Sequence, residues 1–119
     1  MKLGPSFPVF LVMNDHVHRN SLVMNLRDSG FTSVGCESGV QFLRERQNFE
    51  EGLVFADFRL GDMNGLELAV AVHEGPGKFA VVLVAETTDH VMLRQVYPEV
   101  MCAHIIFQEV VQVVSRFLQ

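Results

Sequence analysis

Strand-length segments alternate with segments of helical spacing along this chain, and that alternation constrains its fold more than any single residue does. Strands are expected over residues 9–13, 31–36, 53–56, 79–85 and 103–107, each too short for a typical buried helix. Between them, Leu22, Val23 and Leu26 share one face of a helix over 16–29, which Gly30 stops. Ser38 is placed to cap a helix over 39–47 that buries Val40, Phe42 and Leu43. Leu66, Ala69, Val70 and His73 then fall at i, i+3, i+4 and i+7, and Gly75-Pro76-Gly77 closes that helix. Thr87 or Thr88 begins a more polar helix that ends before Tyr97-Pro98, and Val110, Val113, Val114 and Phe117 line a last one. The sum is an α/β chain of (βα)5 type, a five-stranded parallel sheet with helices on both sides.

Bulk properties narrow the function classes. At 119 residues, 49% hydrophobic and 19% charged, the chain is expected to form a single domain over residues 1–119 with a sizeable core. A net charge of -5 disfavours direct binding to nucleic acid or to an anionic membrane. Cys36 and Cys102 stand far apart with no cluster of His ligands, so neither a zinc site nor a disulfide framework is expected, and a reducing, cytoplasmic setting is the simplest. The apolar stretch over residues 7–13 is too short to span a bilayer and reads as a buried strand. No clear cap ends the last helix, as in the regulatory part of a longer protein.

Asp57 ends the run Leu53-Val54-Phe55-Ala56, at the carboxyl edge of the expected sheet. Ligands of open α/β sheets bind beyond that edge, where a carboxylate can hold a cation or accept a phosphoryl group; it can also simply cap a loop. Asp15, at the start of the first helix, reads as an acid at the positive end of that helix. His16 and His18 are two residues apart and do not face one another on a helix, so both read as solvated side chains. His73 reads as a boundary residue, and Asp62, Asn64 and Gly65 as turn formers without chemistry.

The segment Val9-Phe10-Leu11-Val12-Met13-Asn14-Asp15, followed by Phe55-Ala56-Asp57-Phe58-Arg59-Leu60-Gly61-Asp62-Met63-Asn64-Gly65-Leu66-Glu67-Leu68, resembles the receiver domain of two-component response regulators. The resemblance covers nearly the whole chain and is most specific from Asp57 to Leu68. It implies a flavodoxin-like, doubly wound sheet of strand order 2-1-3-4-5. It also implies that Asp57 is the phosphoacceptor position, taking a phosphoryl group from a histidine kinase or a small phosphodonor. Asp15, Asp57 and the backbone carbonyl of Arg59 would be ligands of Mg2+, because phosphoryl transfer needs a hard cation beside the attacking carboxylate.

Measured against that family, the chain departs at its working positions. The acidic pair after the first strand is Asn14-Asp15, one charge short, so a cation would be held weakly. The Thr or Ser expected at the fourth strand corresponds to Val84, which has no hydroxyl, and the lysine expected at the fifth corresponds to Gln108, which carries no charge. Ile105 stands where receivers carry a switching aromatic. Loss of one such group costs on the order of 2–4 kcal/mol of transition-state stabilisation, judged from oxyanion-type sites.

The resemblance therefore implies an atypical, non-enzymatic receiver whose output comes mainly from protein interaction or dimerisation. The alternative is a working phosphoacceptor that uses Asp57 and Mg2+ despite the losses. An unrelated flavodoxin-like enzyme is disfavoured, because no Gly-rich phosphate loop follows the first strand. Val111 and Leu118 give the last helix a second apolar face, expected to meet a histidine kinase, an output domain or a second copy of the chain.

Overall fold

A computed structural model of the chain describes residues 8–84 and the backbone of a short strand at residues 102–103. Its elements are β1 (Pro8–Val12), α1 (His16–Asp28), β2 (Thr32–Cys36), α2 (Gly39–Glu45) with a 3-10 turn (Arg46–Asn48), β3 (Glu51–Asp57), α3 (Gly65–Glu74), β4 (Lys78–Val84) and β5 (Cys102–Ala103). All the strand pairings are parallel, in the order β2-β1-β3-β4-β5. The expected order is therefore present among the described residues. The expected helix after Thr87 or Thr88, the last helix, and Ile105, Gln108, Val111 and Leu118 lie outside them.

The sheet carries a hydrophobic layer on each side because successive residues of a strand point to opposite faces. Val9, Leu11, Met13, Leu53, Phe55 and Val82 pack with Leu22, Val23 and Leu26 of α1. On the other side Phe10, Val12, Val54, Ala56 and Leu83 pack with Phe42 of α2 and with Leu68 and Val72 of α3. Phe10 anchors this second layer through edge-on contacts with Phe42 and Phe49, at centroid distances of 5.0 and 5.1 Å. Truncating a ring so enclosed costs about 3–5 kcal/mol.

Helix ends follow local chemistry. Gly30, at φ 91, closes α1: its N–H donates to the Arg27 carbonyl and that of Phe31 donates to the Leu26 carbonyl. Ser38 caps α2 by accepting from the Gln41 N–H at 3.1 Å. Asn64 and Glu67 form a reciprocal capping box at the start of α3.

Two inward faces differ from expectation. Val40 is 43% exposed, because the inner line of α2 runs through Gly39 and Phe42. In α3 the buried residues are Gly65, Leu68 and Val72, whereas Val70 is 48% exposed and His73 is also exposed. Gly65 sets this phase: a Cβ there would stand 2.8 Å from the Asp57 carbonyl oxygen and 2.9 Å from a Leu83 methyl. The helix starts with its backbone pressed onto the strand ends, and its inward line runs from that point.

Candidate functional site

Asp57 is the last residue of β3 and pairs in register with Val84, the last residue of β4. It has the parity of Leu53 and Phe55, so its side chain stands on the α1 side of the sheet, where the β1–α1 loop brings Asn14 and Asp15. The loop after Asp57 is braced at both ends. Phe58 N–H donates to the Val84 carbonyl at 2.9 Å, and Gly65 N–H donates to the Phe58 carbonyl at 2.7 Å. Arg59 and Asn64 face each other across the loop in an isolated antiparallel bridge.

A third brace reaches across the molecule. The Asp62 carboxylate accepts from the Gly39 N–H at 3.1 Å and from the Val40 N–H at 2.9 Å, capping α2 from the loop that follows Asp57. Those amides hold the Asp62 carboxyl below the usual carboxylate range. Asp62 is thus more than a turn former. Its partners are more than twenty positions away, which is why local pattern did not reveal them. The Asn64 cap, by contrast, has a readable signature in its acid three residues on, Glu67.

Burial sets the chemistry of Asp57. It pushes the carboxyl up to about 6, against a downward pull from the His18 imidazole and from the Asn14 backbone N–H, with Asp15 adding to the rise. The group is thus ionised for the most part at neutral pH, yet incompletely compensated. A carboxylate in that state attracts a cation or a protonated partner.

Asp15 fills the capping role on α1. Its Oδ1 accepts from the Val17 and His18 N–H groups at 2.9 and 3.1 Å, which holds its carboxyl below the ordinary value. Its Oδ2 faces His18 Nδ1 at 3.6 Å. His18 thus meets the acid three residues before it on the helix, a neighbour that the two-residue separation of the histidines does not indicate. Arg19 steadies the same loop, its guanidinium donating to the Met13 carbonyl at 2.8 Å.

Val84 is half-buried beside Asp57 and presents no donor toward it. Asn14 is exposed, its side chain close to the loop at Gly61. Among the described residues no three His, Cys, Asp or Glu side chains are grouped to hold a metal ion. The ligands expected from the sequence, the Asp15 and Asp57 carboxylates and the Arg59 carbonyl, are all hard oxygens, the donor type a small divalent cation takes. With Asp15 Oδ1 already shared by two amides, such an ion would rely on few protein ligands.

A crevice of about 420 Å³ lies elsewhere, lined by Leu43, Arg46, Phe49, Pro76 and Gly77 among others. No helix of the described residues is long and apolar enough to cross a membrane.

Comparison with known proteins agrees with this fold. A family model described as the response regulator receiver domain matches residues 9–107. No curated protein gives a significant match. Solved structures match over nearly the full length. A CheY-like receiver domain from Methylobacillus flagellatus is 17% identical, with 93% of this chain and 98% of that one covered and a TM-score of 0.74. The chemotaxis response regulator CheY4 of Vibrio cholerae is 16% identical, with 93% and 98% covered and a TM-score of 0.76. A sensor protein from Polaromonas sp. JS666 is 20% identical, with 96% and 97% covered and a TM-score of 0.77. At such identities the structures speak for the fold, and the family model speaks for descent: the chain belongs to the response regulator receiver domain family of two-component signalling.

Proposed function

We propose that this chain is an atypical receiver that keeps its phosphoacceptor position, Asp57, but has lost the usual phosphorylation switch. It works mainly as a protein interaction or dimerisation module, without enzymatic activity of its own. Its partners are a histidine kinase, an output domain or a second copy of the chain, met through the last helix at Val111 and Leu118. Mg2+ binds weakly at Asp15, Asp57 and the Arg59 carbonyl. A cytoplasmic location accords with the sparse cysteines, and the absence of direct nucleic-acid contact with the acidic composition.

The observation that carries this reading is the pairing of Asp57 with Val84 at the sheet edge, together with a carboxyl pushed up to about 6. A hydroxyl or ammonium group directed at Asp57 would lower that value. Gln108 and Ile105, at the positions of the lysine and the switching aromatic, take the remaining polar and aromatic handles away. A ligand shifts a conformational equilibrium only through contacts that differ between the two states, and those contacts are what these residues fail to provide.

Titration with Mg2+ and beryllium fluoride, a mimic of the aspartyl phosphate, tests it. Backbone amide shifts are expected to be absent or confined to the neighbourhood of Asp57. Shifts that spread from Asp15, Asp57 and Val84 to the last helix would establish the working phosphoacceptor instead. For the partner face, Val111→Lys or Leu118→Lys is expected to weaken self-association in sedimentation experiments, and identical behaviour at high concentration would remove that face from the account.

A further inference from the structure

The crevice of about 420 Å³ joins open apolar surface to a buried positive charge. Leu43 and Phe49 supply the apolar part, each only partly buried against the layer beneath. Gln47 and Glu50, both exposed, line its outer part. Arg46 lines it as well, although it is only 6% exposed. Its guanidinium donates to the Ala71, Val72 and Pro76 carbonyls, three of the five hydrogen bonds such a group can donate. Pro76 is itself a crevice residue, so the charged end of Arg46 is placed at the wall that the two share.

Those bonds fasten α2 to the end of α3, but their acceptors are neutral dipoles. Among the described residues no carboxylate lies within ion-pair distance of Arg46, so only the partial negative charge at the end of α3 offsets it. A charge this deeply buried ordinarily has an opposite charge beside it. We propose that the crevice binds a small apolar carboxylate, its hydrocarbon part resting on Leu43 and Phe49 and its carboxylate meeting the Arg46 guanidinium. The volume falls in the range of small-molecule sites, roughly 300–1,000 Å³, and apolar walls with a few placed polar groups are their usual make-up. A planar guanidinium matches a carboxylate in shape as well as charge. Glu50 at the mouth disfavours a more highly charged anion such as a phosphate ester, and a neutral ligand would leave the guanidinium charge as it stands. The crevice residues Phe49, Glu50 and Gly77 precede β3 and β4, whereas Asp57 and Val84 end those strands. The ligand thus acts on the opposite edge of the sheet from Asp57, and the inference stands apart from the reading of that residue.

The test is a titration of the whole chain with 3-phenylpropionate, read by backbone amide shifts and by the Nε–H signal of Arg46. Two controls divide the chemistry: 3-phenylpropionamide has the same shape without the charge, and acetate has the charge without the apolar body. The carboxylate is expected to move the amides of Phe49, Glu50 and Gly77 together with the Arg46 signal. It is expected to bind about tenfold more tightly than the amide, with acetate weaker than either. Two variants at exposed positions leave the core untouched. Gln47→Glu is expected to weaken binding of the carboxylate by about threefold or more, and Glu50→Gln to strengthen it by a similar factor, with binding of the amide unchanged in both.

Equal affinity for carboxylate and amide, or a stationary Arg46 signal, would overturn the proposal. So would indifference of carboxylate binding to both variants, which would place the ligand elsewhere. Absence of shifts at Phe49, Glu50 and Gly77 would show that the crevice takes no ligand of this class.

Discussion

Two buried charges sit at opposite ends of the sheet, and their treatment differs. Arg46, at the amino end, is only 6% exposed, yet its guanidinium donates to the carbonyls of Ala71, Val72 and Pro76 and lies 5.2 Å from the centre of the Phe79 ring. It neutralises the negative end of α3 and is satisfied there. Asp57, at the carboxyl end, is less deeply buried but is left under-compensated, with its carboxyl raised to about 6. The architectural charge is surrounded by partners, whereas burial of Asp57 is not matched by partners to the same degree.

That contrast is open to measurement, beginning with the largest effect. Arg46→Leu is expected to destabilise the domain by about 3 kcal/mol in denaturant unfolding, because carbonyl groups at the end of α3 lose a buried donor. A loss below about 0.5 kcal/mol would mean that Arg46 is not an architectural charge.

Asp57→Asn should act with the opposite sign. The native carboxyl keeps its proton up to about pH 6, whereas the unfolded chain loses it near its ordinary value of 3.8, so stability falls as pH rises between those values. The Asn variant escapes that fall. It is expected to be about 2 kcal/mol more stable than wild type at neutral pH, after allowance for partial exposure, with the advantage gone below about pH 4. Equal stability of the two proteins across the range would mean that Asp57 is fully compensated.

Asp62→Ala removes the brace from the loop after Asp57 to α2. A loss of about 1 kcal/mol is expected, with hydrogen-exchange protection reduced first at Gly39 and Val40. Protection unchanged at those two amides would make the brace dispensable. Smallest is Val84→Thr, which restores a hydroxyl beside Asp57 and should lower the Asp57 midpoint by about half a unit in an NMR titration. A midpoint that did not move would show that the β4 edge cannot reach the carboxylate.

The sheet and the place of Asp57 were legible because an apolar run ending in an acid leaves few alternatives for a strand end. The buried face of α3 was not. Residues 66–72 are apolar at all but one position, so periodicity alone does not fix the phase, and the contact of Gly65 with Asp57 and Leu83 decides it. Asp62 escaped for a different reason, since its value lies in the α2 amides brought to it by the fold. The approach of His18 to Asp15 follows from their spacing of three on a helix, a signal separate from the two-residue spacing of the histidines.

Titration of the Asp57 side-chain carboxyl by carbon-detected NMR tests most directly whether this pocket lacks a cationic companion. The account predicts a midpoint near 6 in the metal-free protein. A midpoint at or below the ordinary value of 3.8 would contradict it, because hydrogen-bond donors or a cation brought to the carboxylate would then offset its burial completely.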